Sequence, residues 1–379
     1  MPLSDHIATS YSSSSGNEGW LTTLRLSSGT TVAALDAAVR DSARQPTSSG
    51  TRFKVGSWKV GAYVDSGENA EINTYARNEV ELGAEALLFR LYHQPDADEI
   101  ASILKDISIE DHSLHCTLRY PGQDPAELFR DLVRYLRRKG YQLDTITGSV
   151  DFDPLLDWSE PPFPPLIRLL YFVSRWMPRF RVLQVNAAGF NDGIEGADAE
   201  LALAISKGAA YLKQIEKLDY PAALANNHLQ FAFTVGSSFY GDVAKLRALR
   251  VLWKRVLQHL GINGEPSIEV AAHSDIAVIG GEAEDTGLQL RLQALAAAAG
   301  GADMVFLAPA EGPFLPATDE GRRNALQTQL DVRSGALSLS EQDVDQSALQ
   351  SMTDALVKAA WQRYQTIEAQ GGFANAIEF

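Results

Sequence analysis

The sequence predicts a (β/α)8 barrel, and three observations carry that prediction. Eight strand-like runs recur between residues 58 and 309. A helical pattern follows each run before the next begins. The fingerprint of the rival open doubly wound sheet, a first strand running into G-x-G-x-x-G, does not occur in the chain.

The strand runs are WKVGAYV (58–64), ALLFRLY (86–92), LHCTLRY (114–120), TITGSVDF (145–152), RVLQVNA (181–187), LQFAFTV (229–235), IEVAAHS (268–274) and DMVFLAP (303–309). Helical patterns fall at 70–83, 96–105, 124–140, 165–177, 195–218, 238–260, 284–299 and 319–331. The helix over 124–140 has the fullest signals: Asp124 as N-cap, Pro125 at the first position, Glu127 as the reciprocal cap and Gly140 past the end. A final amphipathic run, ALQSMTDALVKAAWQRYQTIEAQ, lies outside the eightfold count and is expected to pack on the barrel or on a partner.

Residues 1–50 differ in character, with two Ser-rich patches flanking a modest helical pattern, TTVAALDAAVRD. They hold too little apolar surface to fold alone. The expected division is an N-terminal arm over 1–50, lying on the barrel or across a partner subunit, and the barrel over 51–379; a partly disordered leader is the alternative for the arm.

A chain of 379 residues that is 45% hydrophobic can bury a core without metal or disulfide staples. The one cysteine, Cys116, excludes an internal disulfide and reads as a buried structural thiol. The most apolar segment, PLIRLLYFVSRWMP, is short and interrupted by Arg168 and Arg175, and the polar start has no secretory core, so a cytoplasmic protein without a membrane span is expected. A net charge of −15 repels polyphosphate. The cluster of Arg130, Arg134, Arg137, Arg138 and Lys139 reads as the solvated face of a helix, which leaves nucleic acid out as a partner.

One alternating face of several strands is polar or small: Arg90 and Tyr92, His115 and Thr117, Thr145, Thr147 and Ser149, Gln184 and Asn186, and Gln230, Ala232 and Thr234. If this face points inward, the bore is partly hydrophilic; the period of alternation alone does not say which face is inside.

Common hydrolytic and metal chemistries find little support. G-x-S-x-G is absent, and His273-Ser274-Asp275 is a string of neighbours without a triad's geometry. HSLHC at 112–116 has helical ligand spacing in a loop-to-strand context, and no strand run ends in the lysine that a Schiff-base aldolase needs. Asn186, Phe190, Asn191, Asp192 and Glu195 fall on the loop after the fifth strand, where barrel enzymes bind ligands.

One long run is more specific than any of these. FAFTVGSSFYGDVAKLRALRVLW resembles the strand-plus-helix signature of the methylmalonyl-CoA mutase family, with Phe239, Ala244, Lys245, Arg247, Ala248, Arg250, Leu252 and Trp253 matching F-x-x-x-x-A-K-x-R-A-x-R-x-L-W. LQLRLQALAAAAGGADMVFLAP and the C-terminal run from Arg322-Arg323-Asn324 to Gly371-Gly372 are similar to two further family segments. The turn DFDPLLDW resembles the small, noncatalytic subunit of the heterodimeric enzymes more than the large one.

The resemblance implies a barrel threaded by a CoA ester and a cobalamin-dependent interconversion of methylmalonyl-CoA and succinyl-CoA. The departures qualify it. Phe190 and Asn191 occupy the family's tyrosine and catalytic histidine positions, and an amide has no proton to give near neutral pH. His228 and Gln230 replace a substrate-contacting arginine and serine, and only Trp58 and Tyr63 remain of the aromatic motif at the first strand. None of the seven histidines has an aspartate two residues before it, as the family's cobalt-ligating D-x-H-x-x-G requires.

The resemblance therefore implies a small subunit, inactive alone, in a heterodimer with a large catalytic chain. Adenosylcobalamin belongs to the assembled enzyme and no cofactor to this chain. Asn191, His228 and Gln230 are the candidate substrate-binding positions at the barrel mouth. An acyl-CoA mutase component that works with a separate cobalamin-binding subunit, and a CoA-ester-binding barrel without turnover, are the alternatives.

Overall fold

The computed structural model describes residues 31–44, 52–64, 69–118, 125–157, 163–190, 196–236, 238–262, 268–276, 279, 283–311 and 317–376. A helix, α1 (Val32–Arg44), precedes the alternating units. These run β1 (Lys59–Val64), α2 (Asn69–Leu82), β2 (Ala86–Leu91), α3 (Ala97–Ile103), β3 (Ser113–Leu118), α4 (Pro125–Lys139), β4 (Gly148–Asp151), α5 (Pro154–Asp157) and α6 (Phe163–Trp176). They continue through β5 (Phe180–Arg181), β6 (Leu183–Asn186), α7 (Ala197–Glu216), α8 (Ala222–Asn226), β7 (Leu229–Val235), α9 (Phe239–His259), β8 (Glu269–Ser274), α10 (Ala283–Gly300), β9 (Met304–Phe306), α11 (Asp319–Ser334), α12 (Gln346–Ala369) and α13 (Phe373–Ala376).

All pairings in the sheet are parallel, in the order β5-β4-β3-β2-β1-β9-β8-β7-β6. The two edge segments are one strand interrupted at Val182. Phe180 and Arg181 register with Gly148 and Ser149 of β4, while Leu183–Asn186 register with Leu229–Ala232 of β7. Gln184 also donates its N–H to the Phe152 carbonyl at 2.9 Å, so this strand closes the ring. Counted that way the barrel has the eight expected strands. The fourth and eighth are shorter than expected, at 148–151 and 304–306. Past Phe306 the ladder gives way to a side chain, as Ala308 N–H donates to Ser274 Oγ at 2.9 Å.

Local chemistry explains the boundaries. Helix α3 opens on a reciprocal cap: Asp96 accepts from the Asp98 and Glu99 N–H groups, and Glu99 accepts from the Asp96 N–H, all at 2.9 Å. Asp124, the expected cap of α4, lies outside the described residues. Strand β4 begins on Gly148 at φ +152°, where an added Cβ would sit 1.7 Å from the Leu114 carbonyl oxygen. Gly148→Ala is expected to destabilise the barrel by about 3 kcal/mol or more through overpacking and backbone strain, read as a lowered urea midpoint.

The conspicuous run in α9 is a structural hub. Arg247 donates to the Ala299 carbonyl from Nε and Nη2 at 3.3 and 3.2 Å. Arg250 donates to the Gly301 carbonyl at 2.5 Å and to Asp303 at 2.8 Å. Trp253 donates to Asn226 Oδ1 at 2.9 Å and packs edge-on to Phe231 at 4.9 Å. Lys245, buried, faces Glu200 at 3.2 Å, Asp242 at 3.3 Å and the Thr234 carbonyl at 2.9 Å. Burial alone would lower the Lys245 pKa, but the two carboxylates hold it above the usual range; burial raises both Glu200 and Asp242.

Helix α1 lies against α9 and α10, burying Val32, Val39 and Ala43. Its Asp36 accepts from Ser238 Oγ at 2.6 Å and from the Tyr240 N–H at 3.0 Å, so it caps α9 from outside. Burial pushes Asp36 up to about 6 against those two hydrogen bonds. Cys116 is a free, half-buried thiol whose pKa burial pushes well above its ordinary range, so little of it is thiolate near neutral pH. Among the described residues, no helix is long and apolar enough to cross a membrane, and no group of His, Cys, Asp and Glu could hold a metal ion.

Candidate functional site at the barrel mouth

Contacts between strands that are not neighbours in the ring show which face points into the bore. Lys59 of β1 reaches Thr147 at 3.3 Å, His115 of β3 lies edge-on to Phe306 of β9 at 5.9 Å, and Arg181 of β5 pairs with Glu269 of β8 at 3.6 Å. The polar alternating face is therefore the inner one, and the bore is hydrophilic in part.

Its middle is filled. Ala86, Leu88, Ala271, Met304 and Phe306 form a small apolar cluster separate from the core between strands and helices. Beside it stands a buried polar network. The His115 ring nitrogens are hydrogen-bonded to Ser149 at 2.9 Å and Ser113 at 3.1 Å. The Gln230 amide shares its two protons among Ser149, Asp151 and Gln184 at 3.0, 2.8 and 2.5 Å.

Burial, with smaller effects from Lys59 and His273, pushes His115 down to about 3, so it is neutral near pH 7. A depressed folded pKa gives stability that is complete above the unfolded value of about 6.5 and is lost as pH falls toward the folded one. The wild type should thus lose about 1.4 kcal/mol per pH unit below pH 6.5 relative to His115→Gln, whose side chain does not titrate. Urea midpoints of the two proteins between pH 4.5 and 7.5 check this.

Above the filled layer is a ring of penultimate strand residues, Tyr63, Arg90, Thr117, Thr234 and His273. The Tyr63 hydroxyl and His273 Nδ1 are hydrogen-bonded at 2.9 Å, and the Arg90 guanidinium lies over the Tyr63 ring at 5.0 Å. His273 stacks on Phe306 at 5.2 Å and 11°. This C-terminal mouth presents a phenol, an imidazole and a guanidinium together, a set suited to holding a polar or anionic group. In the sequence Arg90 falls on a polar strand face, Tyr63 belongs to what remains of the family's aromatic motif and His273 lies at the end of a strand run. Their shared position one residue before each strand's end was the available signal.

The sequence-derived positions are dispersed. His228 stands at the entry to β7, on the N-terminal side of the barrel, and its Nδ1 donates to the Phe180 carbonyl at 2.6 Å. Burial pushes it down to about 4 despite that bond. Gln230 is two residues deeper, inside the bore, so neither residue is at the C-terminal mouth, because β7 runs away from both. Phe190 ends a 3-10 turn (Ala188–Phe190) at the mouth, but its ring packs edge-on to Phe373 at 5.7 Å and under the Lys207 ammonium at 5.3 Å. Asn191, Asp192 and Glu195 lie outside the described residues.

A buried ion pair holds this side of the mouth. Lys207 donates to Asp153 at 2.5 Å, the Tyr211 hydroxyl donates to the same carboxylate, and so does the Asn186 N–H at 2.9 Å. Asp153 belongs to the turn whose sequence resembles the small subunits.

Comparison with known proteins agrees with these features. Residues 95–379 match the family described as methylmalonyl-CoA mutase. The chain is 25% identical over 339 residues to a methylmalonyl-CoA mutase small subunit of Porphyromonas gingivalis, covering 85% of this chain and 54% of that protein. It is 29% identical over 345 residues to a probable methylmalonyl-CoA mutase small subunit of Mycobacterium bovis, again covering 85% and 54%. A methylmalonyl-CoA mutase large subunit of Propionibacterium freudenreichii is 24% identical over 254 residues, covering 63% of this chain and 35% of that one. The chain spans about half the length of the curated small-subunit relatives it matches.

Proposed function

The chain belongs to the methylmalonyl-CoA mutase family, and from that premise we propose that it serves as the small subunit of an adenosylcobalamin-dependent enzyme interconverting methylmalonyl-CoA and succinyl-CoA. In this reading the barrel is a structural partner of a large catalytic subunit. Residues 1–50 act as an arm and 51–379 as the barrel.

One contrast carries the proposal. The signature residues Lys245, Arg247, Arg250 and Trp253 are all present and each makes a scaffold bond. The family's catalytic histidine position holds Asn191, which cannot act as a general acid. Selection that keeps the hub and drops the acid suits a subunit retained for assembly.

None of the histidines has the aspartate two residues before it that the family's cobalt-ligating motif carries, and the buried His115 has both ring nitrogens bonded, to Ser149 and Ser113. In this reading the cofactor is held by the large chain. Asn191 remains a proposed substrate contact, whereas His228 and Gln230 lie below the mouth and are held by Phe180 and by Ser149, Asp151 and Gln184. The Tyr63, Arg90 and His273 mouth takes their place as the site where an acyl group's polar end would rest.

Co-expression with a candidate large subunit tests the proposal. The expected result is a stoichiometric complex whose mutase turnover or thermal stability exceeds that of the large chain alone, and no isomerisation by this chain with adenosylcobalamin. Absence of a complex would refute the assignment. Turnover by this chain with only a free cobalamin-binding protein would favour the split-enzyme alternative.

A further inference from the structure

Helices α4 and α6 meet where Phe129 packs edge-on to Phe172 at 5.7 Å, and an open groove of about 710 Å³ lies between them. Its floor is apolar, formed by Phe129, Val133, Leu169 and Phe172. Its rim is basic: Arg130, Arg134, Arg137, Arg138 and Arg168 line it, and no carboxylate does among the described residues.

This charge opposes the whole chain's −15. Part of it is neutralised, since Asp131 and Glu127 take Arg130 at 3.4 and 3.5 Å, Asp131 takes Arg134 at 2.7 Å, and Asp98 takes Arg138 at 2.8 Å. Arg137 and Arg168 are exposed and have no acidic partner among the described residues. The solvated helix face expected from the sequence is thus one wall of a concavity.

At the end of α6, Trp176 is 47% exposed, and the Arg175 guanidinium lies over its ring at 5.1 Å. Tyr, Trp and Arg are the residue types that dominate contact energy in protein interfaces.

We propose that the α4/α6 groove is a docking site for an acidic amphipathic helix of a partner protein. The apolar face of that helix lies on Phe129, Val133, Leu169 and Phe172, and its carboxylates meet Arg134, Arg137 and Arg168. The spacing favours a helix over a small anion. Arg130, Arg134 and Arg137 form a rail along α4, and Arg168 of α6 lines the groove with them. The rail spans seven residues of helix, about 10 Å, which matches two turns of a ligand helix bearing Glu at i, i+4 and i+7. The concave floor separates the site from a flat lipid-binding face. This inference is independent of the mutase reading.

The test is anisotropy titration of the full chain against a labelled peptide of about 18 residues with a Leu stripe flanked by Glu, and against the same peptide with Lys for Glu. The Glu peptide should bind, weaken with added salt, and lose about tenfold or more in affinity with Arg137→Glu/Arg168→Glu. Arg77→Glu on α2 should leave it unchanged. Arg137→Ala/Arg168→Ala, with its melting curve checked, guards against a folding defect and should weaken binding in the same direction. Equal binding of both peptides, no binding of the Glu peptide, or indifference to the arginine variants overturns the proposal. So does arginine-dependent binding to phosphatidylglycerol vesicles without binding of the peptide.

Discussion

Replacement of Lys245 by methionine is expected to destabilise the barrel by about 3–5 kcal/mol, the usual consequence of removing one partner from a buried ion pair. The side chain is 4% exposed and Glu200 is 1% exposed, so water cannot take over the solvation of the carboxylates. Asp275 adds to the acidic surplus, since it raises the pKa of both Glu200 and Asp242. Without the ammonium, the protein has to keep protons on these acids in order to fold. A raised folded pKa gives stability that is complete below the unfolded value and is lost as pH rises. The Lys245→Met protein should therefore melt progressively lower between pH 5 and 8, more steeply than the wild type. Adding Glu200→Gln should restore part of the loss. Thermal unfolding across that range checks both statements, and a Lys245→Met protein as stable as the wild type would remove the hub role.

Asp153→Ala is the second large effect, again about 3–5 kcal/mol. It takes the carboxylate from the Lys207 ammonium, which is 0% exposed, and an acceptor from the Tyr211 hydroxyl and from the Asn186 N–H. Asp153→Asn keeps an acceptor for Asn186 or Tyr211 and should cost roughly half as much, since it removes the charge but not every hydrogen bond. The defect should spread to the mouth, because Lys207 supports the Phe190 ring and Phe190 ends the turn after the fifth strand. Limited proteolysis after Ala187 should be faster in the variant even under conditions where it remains folded. Unchanged cleavage would separate the ion pair from the loop.

Much of the fold was legible because each strand's apolar run is bounded by breakers and each helix carries its own start and stop. The run ending at Gly140 and the one beginning at Thr318 show this in α4 and α11. The site was less legible for a geometric reason. Alternation separates two faces of a strand without saying which is inside, and only contacts such as Lys59 to Thr147 across the ring decide it. The mouth set of Tyr63, Arg90 and His273 comes from three strands spread over 210 residues, joined by register alone. Resemblance ties His228 and Gln230 to the mouth, but the direction of β7 puts them elsewhere. Phe190 is beside Asn191 in the sequence, but its ring is claimed by Phe373 from a helix nearly two hundred residues later.

The interruption at Val182 has a dynamic consequence. A ring of strands held by continuous ladders opens only as a whole, whereas here one joint consists of two registered pairs, Gly148 with Phe180 and Ser149 with Arg181, and of the Gln184 to Phe152 bond beyond the break. The amides along this seam should exchange with deuterium ahead of those in β7 and β8, which share six registered pairs. The cylinder thus has a built-in slit, and its first excursions from the native state should be a local unzipping between the fourth and fifth strands.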